Sequence, residues 1–212
     1  YDFLLLLRDL GPHEEIEYLI ADFRDAFFIL PNREDERHFF AVEFQGRVLV
    51  FLRTTQGSRG APLTWARLAA LIGRLAQSVL GLEAARIATY VDDPIVVARG
   101  SRYFRRKLFA ITLGMWSALG LSIAFNKGVI GAHVTWTSAV FAPTHDQVTV
   151  SVKATLVAET MTMLAQFVSG NYILKKRLRQ GIGKAMHIAS LVPMVRPFIS
   201  ELYAALCAPQ PE

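Results

Sequence analysis

Short runs of apolar and β-branched residues, separated by turn residues, occupy most of the first two thirds of the chain. Such runs predict β-strands, and their positions are 17–23, 39–44, 47–53, 85–91, 95–98, 121–125, 133–141 and 147–152. Gln45-Gly46 separates the second and third runs and is a typical hairpin turn. The pattern therefore predicts a sheet that is mostly antiparallel.

Apolar residues at helical spacing predict the remaining elements. One helix begins at Pro62, which suits the first helical turn, and ends at Gly81; Leu68, Leu71, Ile72, Leu75 and Val79 form a wide apolar stripe on it. A turn or short helix is predicted at 25–28, a charged loop at 32–37, and longer helices at 102–119, 154–168, 172–191 and 197–206. The fold class is therefore α+β: residues 1–145 form an antiparallel sheet flanked by helices, and residues 146–212 are mainly helical.

Composition and charge narrow the class of partner. Hydrophobic residues make up 52% of the chain, enough for a real core. Lys and Arg total 23 against 18 acidic residues, a net charge of +5, which favours nucleic acid or an acidic membrane surface. Cys207 is the single cysteine, so an intrachain disulfide and a cysteine zinc site are excluded, and an intracellular compartment is expected.

Two stretches bear on targeting and on membranes. Residues 1–15 carry an apolar patch at 4–7 and a Gly11-Pro12 break, without an initiator Met or a signal peptide, so we expect a part of a longer protein. Residues 108–125 are uncharged and just long enough to span a membrane. Because glycines and hydroxyl residues interrupt this stretch, we predict a buried helix followed by a strand, and no membrane partner.

Adjacent carboxylates, Asp92 and Asp93, separate two β-prone runs and are predicted at a hairpin tip. Two fixed negative charges at a strand end need either a cation or full solvation. Taken alone, the pair is most simply a solvated turn. Asp22 ends an earlier predicted strand, however, and distant strand ends can meet on one edge of a sheet. Three converging carboxylates would form a hard-oxygen site for Mg²⁺, and two such ions catalyse phosphoryl transfer.

A polar loop with two glycines, residues 56–62, precedes the helix that starts at Pro62. Glycines before a helix start allow the backbone to approach a flat or charged ligand closely. Arg59 could add a contact to a phosphate or a base. The alternative is an ordinary loop with a helix cap.

The order of three motifs, at 21–31, 56–62 and 90–93, resembles the palm of reverse transcriptases. The likeness is greatest to retrotransposon enzymes of the long-terminal-repeat or tyrosine-recombinase type. It covers residues 20–141 and continues more loosely to Leu206, where residues 181–187 and 195–199 resemble the thumb. The resemblance implies a polymerase palm with partial fingers in residues 1–145 and a thumb-like region in residues 146–212.

The resemblance also implies roles for the palm residues. Asp22, Asp92 and Asp93 would hold two Mg²⁺ ions, with Mn²⁺ as the alternative ion. Phe27 would be the aromatic gate that excludes a 2′-hydroxyl, with a core phenylalanine beside Phe28 as the alternative. The other nucleotide contacts would come from the backbone of Phe23, Arg24, Asp25 and Ala26 and from Gln56 and Gly57.

Further roles concern the leaving group, the primer and the template. Lys127 would lie near the leaving pyrophosphate, where an ammonium can donate a proton, with a solvated loop lysine as the alternative. The segment around Trp136 resembles the hairpin that grips the primer, but the usual glycine after its aromatic residue is missing. The remaining implied contacts to primer or template are Arg59, Tyr90 and a basic cluster, Lys175, Lys176, Arg177 and Arg179, whose alternative is a solvated helix face.

The implied activity is Mg²⁺-dependent addition of deoxynucleoside triphosphates to a primer 3′-hydroxyl on an RNA or DNA template. Three features depart from an intact enzyme. Few residues precede Asp22, so the upstream fingers are expected elsewhere in a longer polyprotein. Pro94 is expected to bend the strand after the acidic pair. No acidic cluster typical of ribonuclease H follows Glu159. The alternatives are an inactive relic that binds nucleic acid and, less favoured because of Phe27, a viral-type RNA polymerase.

Overall fold

The structure is a computed structural model that describes residue 6 and residues 14–143, 147–170 and 172–208. Apart from Leu6, the predicted apolar patch and the Gly11-Pro12 break lie outside the described residues. The chain divides into two compact units. The first comprises residues 1–134 and 143–148, and the second comprises residues 135–142 and 149–212. Antiparallel sheets flanked by helices confirm the α+β prediction.

A four-stranded sheet forms the centre of the first unit. Its strands are β1 (Glu15–Ile20), β4 (Ala85–Tyr90), β5 (Asp93–Gly100) and β6 (Val129–Gly131), in the order β4-β5-β1-β6. A separate hairpin, β2 (Ala41–Phe44) and β3 (Arg47–Val50), turns at Gln45 and Gly46, both in the left-handed region as a two-residue hairpin turn requires. Residues 34–37 of the predicted charged loop are instead the start of a 3₁₀ helix, Glu34–Phe40.

Two helices complete the first unit, α1 (Ala61–Leu80) and α2 (Arg102–Ala118). The buried positions of α1 recur every three or four residues, and half of them are alanines: Ala61, Trp65, Ala69, Ile72, Ala76 and Leu80. Only Ile72 of the predicted apolar stripe is buried, and Leu71, Leu75 and Val79 are exposed. Most of the predicted apolar stripe therefore does not pack, and the packed side of the helix combines small alanines with Trp65, Ile72 and Leu80.

Gln77 of α1 covers part of the outer edge of β4. Its carboxamide donates to the carbonyl of Ala85 and accepts from the amide of Ile87, both at 2.9 Å. These two bonds are the ones that a neighbouring strand would make.

Two strand predictions differ from the structure. Residues 121–125 do not form a strand: Ile123 makes an isolated bridge with Phe23, a 3₁₀ helix follows at Phe125–Lys127, and β6 then pairs with β1. Residues 133–141 form two strands, β7 (Val134–Trp136) and β8 (Ala139–Pro143). Thr137 and Ser138 separate them at φ 46° and 65°, so the chain reverses there.

The second unit consists of helices and most of a small sheet. The sheet order is β7-β8-β9, where β9 is Val148–Val152, and the helices are α3 (Ala154–Ser169), α4 (Lys175–Leu191) and α5 (Arg196–Cys207). Its core comprises Leu178, Ile182, Ala185, Ala189 and Ile199. Gly181 lets α3 and α4 approach closely, since a Cβ there would lie 2.6 Å from the Phe167 ring. No helix in the described ranges is long and apolar enough to span a membrane.

Candidate active site

Asp22 lies beside the hairpin formed by β4 and β5. The amides on either side of it are bonded to that hairpin: Ala21 N donates to Pro94 O at 3.1 Å, and Phe23 N donates to Asp92 O at 2.9 Å. The sequence prediction that Asp22 and the acidic pair belong to adjoining strand ends therefore matches the backbone path.

Pro94 does not displace this arrangement. It is buried within β5, opposite Thr89 of β4, and its carbonyl accepts the Ala21 amide. Because proline has no N–H, it cannot donate back to Ala21, so the regular pairing of β1 with β5 ends at Ile20 and Ile95. β5 is continuous from Asp93 to Gly100, and the proline marks the point where the regular pairing with β1 ends.

The hairpin tip is a tight turn through Val91 and Asp92. Tyr90 is paired with Asp93, and Val91 lies in the left-handed region at φ 55°. The indole N–H of Trp65 donates to the Val91 carbonyl at 2.6 Å. Asp92 and Asp93 are half-buried, whereas Tyr90 is exposed, as a residue that contacts a primer would need to be.

The three carboxylates interact electrostatically. Burial raises the pKa of Asp93, and the negative charges of Asp92 and Asp22 raise it further, while the Lys127 ammonium opposes the effect. The charges of Asp92 and Asp22 are therefore close enough to act on the Asp93 carboxyl. A site of this kind favours binding of a cation.

Lys127 provides one such cation. Its Nζ lies 2.7 Å from Asp22 Oδ1, and this hydrogen bond and ion pair raise the pKa of the exposed lysine. The loop that carries Lys127 is anchored at the same residue, because Ala124 N donates to Asp22 O at 2.9 Å. The resemblance to reverse transcriptases implied that Lys127 lies near the leaving pyrophosphate. The ion pair between Lys127 and Asp22 was not predicted.

Within the described ranges, no three His, Cys, Asp or Glu side chains lie close enough together to hold a metal ion. Joint metal binding by Asp22, Asp92 and Asp93 therefore stays a prediction. Their donor chemistry fits Mg²⁺, which proteins commonly bind through one or two carboxylates while substrate phosphates and water supply the other ligands. Lys127 occupies one oxygen of Asp22, so a metal ion would bind the other oxygen or compete with the ammonium.

The residues at 23–27 that are predicted to contact the nucleotide fall into two groups: Phe23 and Arg24, whose amides are bonded within the fold, and residues 25–27, at the start of a short helix. The amides of Phe23 and Arg24 are bonded within the fold, to Asp92 O and Ser122 O, so those two N–H groups already have acceptors. Asp25 is exposed at φ 54°, and Ala26 begins a 3₁₀ helix, Ala26–Ile29. In that helix Phe27 packs partly against the core, and Phe28 is the more exposed ring.

The polar loop before α1 is open to solvent. Gln56, Gly57 and Arg59 are all exposed, and Gly57 has a φ of 88°, which a glycine adopts without strain. Ala61 N donates to Ser58 O at 3.1 Å, which closes the loop onto the first turn of α1. The loop is thus a preformed, accessible segment.

The remaining predicted contacts lie in the second unit. Trp136 is half-buried on β7 and packs against Phe141. In the basic cluster, Lys176 and Arg179 are exposed, Lys175 donates to the Ala208 carbonyl, and Arg177 donates to Gln166 Oε1 at 2.9 Å. Two of the four cations therefore already have partners within this unit.

Trp65 is a site residue that the sequence analysis missed. It was included only in a predicted helix, and nothing in local periodicity indicates that its indole reaches a turn 26 residues away. The available signal was chemical, because a buried Trp usually finds an acceptor for its N–H.

Comparison with solved structures identifies the fold. A foamy viral protease-reverse transcriptase in complex with an RNA/DNA hybrid matches with a TM-score of 0.60 over 93% of this chain, at 13% identity. A second structure of that protein, in complex with double-stranded DNA, matches with a TM-score of 0.59 over 96% of this chain, at 14% identity. No family model matches the sequence, and neither does any curated protein.

The chain therefore has a reverse-transcriptase-like fold. It spans 25% and 37% of the lengths of the two matched chains, so it corresponds to a part of each.

Proposed function

We propose that this chain is the palm and thumb portion of a retroelement reverse transcriptase, of the long-terminal-repeat or tyrosine-recombinase type. It would add deoxynucleotides to a primer 3′-hydroxyl, copying RNA or DNA. The observation that carries the proposal is the contact of the Asp22 segment with the Asp92-Asp93 hairpin, with Lys127 paired to Asp22, in a reverse-transcriptase-like fold.

The residues of the site would share the chemistry as follows. Asp22 and Asp92, with Asp93 beside them, would hold Mg²⁺, which activates the attacking hydroxyl and neutralises phosphate charge when bound. Lys127 would be an ammonium at neutral pH, as lysine ordinarily is, and would carry a proton that it can donate to the leaving pyrophosphate. Gln56 and Gly57 would contact the incoming nucleotide, and Arg59 and Tyr90 the template and primer.

The second unit would hold the duplex. Its exposed cations Lys176 and Arg179 would contact phosphates without reading the sequence, and Trp136 would support the primer end. Fingers and other domains of a longer polyprotein would supply further contacts.

Primer extension by the 212-residue chain tests the proposal. The assay uses an RNA template, a DNA primer, deoxynucleotides and Mg²⁺, with binding of the same primer–template measured in parallel. Template-directed extension supports the proposed activity, and binding without extension contradicts it.

A nucleic-acid-binding relic is the second candidate. The observation that favours it is that no three potential ligands in the described part of the chain lie within reach of one metal ion. This candidate predicts an affinity for nucleic acid that falls steeply with salt and no extension with either Mg²⁺ or Mn²⁺.

Phe27→Val is expected to raise incorporation of ribonucleotides roughly 10- to 100-fold relative to deoxynucleotides, because a smaller side chain leaves room for the 2′-hydroxyl. The measurement is the ratio of kcat/KM for the two nucleotides in single-nucleotide extension. Phe28→Val is the matched control, since it truncates the neighbouring exposed ring of the same short helix. An equal ratio in both variants would contradict the role of Phe27 as the gate.

A further inference from the structure

Val91 has a backbone conformation that its side chain disfavours. Its φ is 55°, in the left-handed region, where glycine or asparagine is usual and a β-branched residue is a clear outlier. Such a conformation persists only where the surroundings hold it in place. The position matters because Val91 directly precedes Asp92.

Trp65 supplies contacts that hold this turn. The residue is completely buried, and its indole N–H donates to the Val91 carbonyl at 2.6 Å. A carbonyl fixed in this direction fixes the peptide that leads into Asp92. Since Trp65 belongs to α1, the turn is attached to an element outside the sheet.

The same indole also contacts the segment that carries Asp22. Its ring packs edge-on against Phe23, with 6.0 Å between ring centroids, and Phe23 packs in the same way against Trp116 at 5.1 Å. The Phe23 amide in turn donates to Asp92 O at 2.9 Å. Trp65 is thus in contact with the residue after Asp22 and with the residue before Asp92.

We propose that Trp65 is a positioning residue, whose indole N–H holds Val91 in the left-handed conformation and thereby keeps Asp92 beside Asp22. The inference rests on the proposed function in that the two carboxylates are taken as metal ligands. The competing explanation is that Trp65 only fills the core beneath the sheet.

Conservative variants separate these two explanations. Trp65→Phe keeps an aromatic ring and removes the donor. Trp116→Phe is the matched control, because Trp116 belongs to the same aromatic cluster and its buried Nε1 has no hydrogen-bond partner among the described residues. Val91→Gly removes the strain, since glycine adopts a positive φ readily. In the Val91→Gly background, the turn should depend less on the Trp65 donor.

The experiment measures Mn²⁺ affinity by electron paramagnetic resonance, together with Tm, for the wild type, the three single variants and Trp65→Phe/Val91→Gly. We expect Trp65→Phe to lower Mn²⁺ affinity roughly tenfold and Tm by roughly 2–6 °C. Trp116→Phe should lower Mn²⁺ affinity by less than about twofold, because it removes no hydrogen bond. The effect of Trp65→Phe on Mn²⁺ affinity should be at least roughly threefold smaller in the Val91→Gly background.

Three results would overturn the inference: unchanged Mn²⁺ affinity in Trp65→Phe, an equal loss in Trp116→Phe, or the same loss from Trp65→Phe with and without the Val91→Gly substitution. Failure of the proposed function has a different signature. In that case the wild type binds Mn²⁺ and primer–template and the variants follow the expected pattern, but no extension occurs. A wild type that does not bind Mn²⁺ overturns both.

Discussion

Asp92→Asn is expected to lower primer extension by at least about 10²- to 10³-fold, the usual loss when a charge that stabilises a transition state is removed. An amide is neutral and a poorer ligand for a hard cation than a carboxylate. The substitution keeps the shape of the side chain, and the backbone bond from Phe23 N to Asp92 O involves no side-chain atom. We therefore expect Tm and primer–template binding to change little while Mn²⁺ affinity falls.

Asp35→Asn is the matched control for this prediction. Asp35 is exposed and paired with Arg33 in a 3₁₀ helix of the same unit, and it takes no part in the proposed site. The decisive comparison is the double variant Asp22→Asn/Asp92→Asn, measured as single-turnover extension. Extension that survives in the double variant would show that these carboxylates are not the metal ligands.

Lys127→Gln is expected to change two quantities in opposite directions. Without nucleic acid or nucleotide, Mn²⁺ affinity should rise roughly two- to fivefold, because the ammonium no longer competes for Asp22 and the ion pair is an exposed one. Extension should nevertheless fall about 10²- to 10⁴-fold, the range associated with loss of a proton donor. If Lys127 only stabilised the fold, Lys127→Gln would not raise the affinity for Mn²⁺.

Lys107→Gln provides the comparison for Lys127→Gln. Lys107 is an exposed lysine on α2 of the same unit, so the variant removes one positive charge from that unit without touching Asp22. Mn²⁺ affinity and extension should both remain near the wild-type values. If Lys127→Gln behaves in the same way, then the lysine is a solvated loop residue and has no part in the chemistry.

The local pattern of apolar and acidic residues was sufficient to predict the acidic hairpin. Two β-prone runs and an intervening acidic turn determine β4 and β5, and the structure places the tip within one residue of the predicted position. The convergence of Asp22 with the acidic pair was predicted from the general behaviour of antiparallel strand ends; the bond from Phe23 N to Asp92 O brings the two backbone segments together, and joint metal binding by the carboxylates stays a prediction. The first prediction rests on short-range residue patterns, and the second rests on the rule that distant strand ends can meet on one edge of a sheet.

Features that depend on tertiary packing could not be predicted in the same way. The segment at 121–125 has strand-like composition but makes only an isolated bridge with Phe23, and it is the short β6 that pairs with β1. The buried side of α1 combines three alanines with Trp65, Ile72 and Leu80, and the predicted apolar stripe indicates only Ile72 of these six residues. The contacts of Trp65 with Val91 and of Lys127 with Asp22 join residues 26 and 105 positions apart.

Gln77 affects how the sheet meets other molecules. β4 is an outer strand, and an outer strand with open backbone groups can recruit a strand from another chain, which is a common route to aggregation. One carboxamide from α1 satisfies Ala85 O and Ile87 N in the same way that a neighbouring peptide would. The helix thus supplies a side-chain substitute for a further strand, and it protects the sheet along the strand that leads directly to Asp92 and Asp93.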